Sequence, residues 1–98
     1  NTTLGWYMSP EVGEESKSRA RRYANSDGSA IHLDFIRMAM GSIAALCVIP
    51  MQDVLGFGED CRMNLPGTTH GNWRWRCAAR FIDDAVARRL YDETRFYR

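Results

Sequence analysis

The sequence predicts an α/β chain, mostly helical, with one buried parallel strand at about residues 46–51. Three observations carry this. Ile31, Phe35, Met38, Ala39 and Ser42 recur on one helical face, and Leu33, Ile36, Met40 and Ile43 widen it until the helix is covered on most sides. Leu46-Cys47-Val48-Ile49-Pro50-Met51 is a continuous apolar run without alternation, the pattern of a strand packed between helices. No second run matches it in strength, yet a parallel strand needs a partner reached through a crossover. The expected strand is therefore an orphan.

In chain order, residues 1–8 form a short polar and aromatic stretch with Gly5 before Trp6-Tyr7. Ser9-Pro10-Glu11 reads as a helix start, Ser9 capping and Pro10 at the first position. Glu11, Glu14 and Glu15 precede Lys17, Arg19, Arg21 and Arg22, the order the helix dipole favours. Apolar residues are few here, so one thin stripe is buried, and Asn25-Ser26-Asp27-Gly28 ends the helix as a turn. Ser29 is placed to cap the second helix, and Gly41-Ser42 marks a close approach to a neighbour. Gln52 and Asp53 follow the expected strand, where α/β proteins place their sites, or else they cap the turn over residues 54–58. Residues 59–76 lack periodicity, and their Pro-Gly, Asn, Trp and Arg content suggests an ordered loop. A last helix is capped by Asp83 or Asp84 and turns Val86, Leu90 and Tyr97 inward.

Composition narrows the class. The 98 residues are 45% hydrophobic and 26% charged, with mean hydropathy −0.41, which excludes a disordered tail, a coiled coil and a collagen-like chain. The longest apolar stretch, over residues 38–51, is broken by Gly41, Ser42 and Pro50 and is shorter than the ~20 residues of a membrane span. Thirteen basic against twelve acidic residues leave a charge of +1, so no bulk field draws the chain to nucleic acid or anionic lipid. Cys47, Cys61 and Cys77 share no CxxC spacing and are expected to be free thiols in a reducing compartment. The chain opens on Asn1 rather than methionine, so it is expected to begin inside a longer reading frame or after processing. Its length also excludes a whole (β/α)8 barrel of roughly 250 residues.

No catalytic set assembles from the residues alone. GxSxG, P-loop, GxGxxG and HExxH patterns are absent. Asp53, Glu59 and Asp60 are candidate carboxylates, but glycosidase-type chemistry needs two that face each other across a substrate. Trp73-Arg74-Trp75-Arg76 suits stacking on nucleic acid, stacking on sugar rings, or simple packing; the near-neutral charge disfavours the first.

Two segments together resemble the 4-α-glucanotransferases (amylomaltase, or disproportionating enzyme). Asn1-Thr2-Thr3-Leu4-Gly5-Trp6-Tyr7 is similar to the stretch after that family's catalytic His-Asp-Asn motif. Ile49-Pro50-Met51-Gln52-Asp53-Val54-Leu55-Gly56-Phe57-Gly58, Arg62-Met63-Asn64-Leu65-Pro66-Gly67-Thr68 and Gly71-Asn72-Trp73-Arg74-Trp75-Arg76 are similar to its C-terminal block, in the same order and spacing. The resemblance implies the C-terminal fragment of a (β/α)8 TIM barrel, with residues 46–51 as its last strand and residues 1–98 as an incomplete domain. It implies a cytoplasmic enzyme that moves α-1,4-glucan segments between glucans by a retaining double displacement, without metal or cofactor. The three catalytic carboxylates would lie upstream, the last just before Asn1, so this chain holds none and is expected to be inert alone. Asn64 resembles the family asparagine beside the glucose at the cleavage point; Gln52, Asp53, Arg62, Trp73 and Trp75 are the other expected substrate-binding positions. The implied partner is an α-1,4-glucan or maltooligosaccharide, with no nucleic acid and no membrane. Two further readings compete: a carbohydrate-contacting module using Trp6, Trp73 and Trp75, and a piece that self-associates through its unpaired strand.

Overall fold

A computed structural model describes residues 1–98 as five α-helices and two short 3-10 turns, without a β-strand. The segment 1–8, left unassigned by pattern, contains α1 (Thr3–Met8). Thr2 opens it in an extended conformation, and its Oγ1 accepts the Gly5 N–H at 3.0 Å. Gly5 is buried where the 3-10 turn Glu59–Cys61 crosses; a Cβ there would stand 3.0 Å from the Glu59 nitrogen.

The helix expected to start at Ser9-Pro10 starts later, as α2 (Glu14–Ala24) with Gly13 at its N-cap. Ser9 instead ends α1, and its Oγ accepts the Glu11 N–H at 3.2 Å, a local bond that competes with helix formation. The charge order holds: Glu14 and Glu15 lie in the first turn, Arg21 and Arg22 in the last. Only Ala24 of this helix is buried, as the thin stripe predicts. Asn25 closes it in the left-handed region at φ 53°, donating its N–H to the Arg21 and Arg22 carbonyls.

The centre of the molecule is α3 (Ile31–Met40), which packs against α1, α2, α4 (Met51–Leu55) and α5 (Asp84–Tyr97). It is capped by Ala30 rather than Ser29, with no side-chain bond. Ile31 and Ile36 are buried, while Leu33, Phe35, Met38 and Met40 are half-buried, so the helix is less enclosed than its apolar face predicts. At its end Gly41 meets Tyr97 of α5, where a Cβ would lie 3.2 Å from the ring. The close approach read from Gly41-Ser42 is real. The core is the trio Ile36, Val54 and Val86, with Leu33, Met40, Ile49, Met51, Leu55 and Leu90 packed around it. Three helices thus contribute one buried side chain each.

The expected buried parallel strand at 46–51 is not formed. Residues 45–50 carry no regular structure, and Leu46 and Val48 are 78% and 82% exposed. Hydrogen bonding explains the difference, because an extended segment becomes a strand only when neighbours take its N–H and C=O groups, and none lies alongside. The run also ends earlier than expected. Pro50 caps α4, and Gly56 closes it in the left-handed region at φ 72°. Proline before and glycine after is a helix signature that the apolar run masks.

Candidate functional site

The end of the extended segment, the start of α4, the loop after the 59–61 turn and the chain's first residues meet in a groove of about 460 Å³. Its lining is Asn1 and Thr2 from the chain's first residues, Val48, Pro50 and Gln52 from the extended segment and α4, and Arg62, Met63, Asn64 and Trp73 from the loop. Four of the six expected binding positions, Gln52, Arg62, Asn64 and Trp73, are therefore together. The other two are elsewhere.

Gln52 is buried, and its Nε2 donates to the Cys61 carbonyl at 3.0 Å, tying α4 to the 59–61 turn. Arg62 runs back along its own loop, donating from Nε to the Asn64 carbonyl at 2.9 Å and pairing with Glu59 at 3.4 Å. These bonds fix the backbone that presents the exposed Asn64 side chain. The loop beyond is closed by Asn72, whose Oδ1 accepts the Leu65 N–H at 2.8 Å and whose Nδ2 donates to the Thr68 carbonyl at 3.1 Å. Met63 and Trp73 then join through a backbone hydrogen bond from the Trp73 N–H to the Met63 carbonyl.

Trp73 stands at φ 61°, left-handed backbone that a bulky residue adopts only at a cost of order 1–3 kcal/mol. Its side chain is left 65% exposed at the groove rim. Trp75, two residues on, packs edge-on to Phe57 with ring centroids 6.1 Å apart, and it lines a separate cavity of about 500 Å³ with Phe81 and Cys61. Phe57 also meets Phe81 at 5.1 Å. Trp6 lies 6.1 Å from the Phe35 ring, between α1 and α3. The three tryptophans therefore do not form one stacking surface.

Asp53 does not line the groove. Its carboxylate accepts the Thr3 N–H at 2.8 Å on Oδ1 and the Thr3 hydroxyl at 2.9 Å on Oδ2. Cys47, Cys61 and Cys77 are free. Burial, with Asp60 nearby, pushes the Cys61 thiol above its ordinary range. Among the residues that pattern reading missed, Asn1 and Thr2 are groove wall, and only their place in a matching motif could have signalled it.

The groove brings together residues from three well-separated parts of the sequence, all within the region that matches known proteins. The family model described as 4-alpha-glucanotransferase, of glycoside hydrolase 77, matches residues 1–81, and the chain belongs to this family. A 4-alpha-glucanotransferase of Synechocystis is 41% identical over 98 residues, covering 99% of this chain and 19% of the relative. The chloroplastic/amyloplastic 4-alpha-glucanotransferase of Solanum tuberosum is 41% identical over 96 residues, 94% of this chain and 16% of its own length. That of Thermus thermophilus is 39% identical over 82 residues, 78% of this chain and 16% of its own. The chain thus spans less than a fifth of the length of these curated relatives.

Proposed function

We propose that these residues are the C-terminal part of a 4-α-glucanotransferase catalytic barrel and supply one side of its glucan-binding groove. The carrying observation is the clustering of Gln52, Arg62, Asn64 and Trp73 around one groove beside Asn1. Its chemistry suits a sugar: an exposed indole, side-chain amides and a guanidinium beside the apolar Val48 and Pro50. Asn64 contacts the glucose at the point of cleavage, while Gln52 and Arg62 hold its loop in place. Trp75 supports the loop from behind.

In the intact enzyme, carboxylates upstream of Asn1 carry the reaction. An aspartate attacks the anomeric carbon as a glutamate protonates the departing glycosidic oxygen. The resulting glycosyl-enzyme is then opened by the 4-hydroxyl of an acceptor glucan, whose proton returns to the same glutamate. The three free thiols favour a cytoplasmic setting.

The test is disproportionation of maltotriose. The intact enzyme should release glucose, and Asn64→Ala should lower kcat/KM by about a hundredfold to a thousandfold, the range of a lost contact formed at the reacting centre. The 98-residue chain alone should release none. An unaffected Asn64→Ala enzyme, or turnover by the short chain, contradicts the reading.

A further inference from the structure

We propose that Asp53 is a positioning residue that holds the two walls of the groove in register by clamping Thr3. This rests on the groove being the glucan site, and it assigns Asp53 a role other than touching the sugar. Both oxygens of the carboxylate are engaged, one by the Thr3 N–H at 2.8 Å and the other by the Thr3 hydroxyl at 2.9 Å. The two residues are 50 positions apart, so the bonds join separate elements, the first turn of α1 and the middle of α4.

On each side the clamp is continuous with groove wall. Thr2 is buried, caps α1 through Gly5, and donates its own N–H to Asn1 Oδ1 at 2.8 Å, so Asn1, Thr2 and Thr3 move as one unit. Gln52, adjacent to Asp53, lines the groove and is tied to the Cys61 carbonyl, which leads directly into Arg62. Fixing Thr3 against Asp53 therefore fixes Asn1 against Gln52. Two hydrogen bonds from one residue to one carboxylate define an orientation as well as a distance, and charged acceptors make the stronger bonds. Misplacement of about 1 Å at a reacting site can cost a hundredfold in rate.

The experiment uses the intact enzyme that carries this sequence, with maltotriose as substrate. Asp53→Ala removes both bonds and should lower kcat/KM by about tenfold to a hundredfold, whereas Thr3→Val keeps the backbone N–H bond, loses only the hydroxyl bond, and should cost less. The double variant should be no worse than Asp53→Ala, because the bond that Thr3→Val removes is already lost in Asp53→Ala. Asp53→Asn keeps an acceptor for the Thr3 N–H and can donate to the hydroxyl, so it should restore activity, as should Thr3→Ser. Hydrogen exchange in the peptide spanning residues 1–8 should rise in Asp53→Ala and remain low in Asp53→Asn. Losses that multiply in the double variant, or an Asp53→Asn enzyme as poor as Asp53→Ala, overturn the clamp. A wild-type enzyme with no transfer activity instead removes the function it serves, and the exchange comparison still decides whether Asp53 holds Thr3.

Discussion

At the scale of single residues, His32 shows how burial sets a pH response. Its ring lies against Gly56, its Nδ1 is buried without a hydrogen-bond partner, and burial and then the Arg89 charge lower its pKa below the ordinary 6.5, against Asp53 and Asp34. The folded state therefore prefers neutral His32, while the unfolded chain protonates near the ordinary value. Between the two values the unfolded state binds more protons, so stability is full above about pH 6.5 and falls as the pH drops toward the folded pKa. Urea titrations at pH 8 and pH 5 should show a smaller acid loss for His32→Gln than for the unsubstituted chain. Equal losses would place the titration elsewhere. No pattern announced this, because a single histidine among apolar residues looks the same whether its ring is packed or solvated. Trp73 and Trp75 pose the same difficulty: alternation would put them on one face, and the left-handed backbone at Trp73 sends them to different cavities.

At the scale of elements, what was legible depended on whether the signal was local. The end of α2 at Asn25 and the start of α5 at Asp83 follow from short-range chemistry and appear as expected. The Asp83 carboxylate accepts the Val86 N–H at 2.9 Å, and Val86 is one of the three core side chains. Asp83→Ala should therefore lower unfolding stability by about 1 kcal/mol, as N-cap losses do, while Asp84→Ala should cost less; denaturant titration of both checks the assignment. The strand at 46–51 was legible only as hydrophobicity, and hydrophobicity reports what a segment needs to be covered by, not what is present to cover it. Asn64 and Trp73 were recognisable from matching motifs, but the groove itself joins Asn1 to Asn64, and no local pattern encodes that meeting.

For the whole molecule, surface area is the informative quantity. The accessible surface is 7223 Å², whereas a compact protein of 11.2 kDa is expected to expose about 5,700 Å². Only eight of the 98 residues are buried, and Ile43, Leu46 and Val48 stand open to solvent. Uncovered apolar chain of this kind associates. The isolated 98 residues should show concentration-dependent association in sedimentation, and Val48→Lys should reduce it; a concentration-independent monomer would contradict the expectation. The middle of the chain also receives both ends. Asp53 binds Thr3 across 50 positions, and the Ala44 carbonyl accepts from Arg98 across 54. This imposes an order during synthesis. At the usual 5–20 residues per second, the first helix waits roughly 3 to 10 s for Asp53 to be made, without its final partner, and the last helix can find Ala44 as soon as it appears. Within this segment the early helix is therefore made well before the partner that fixes it, whereas the last helix is made after its own.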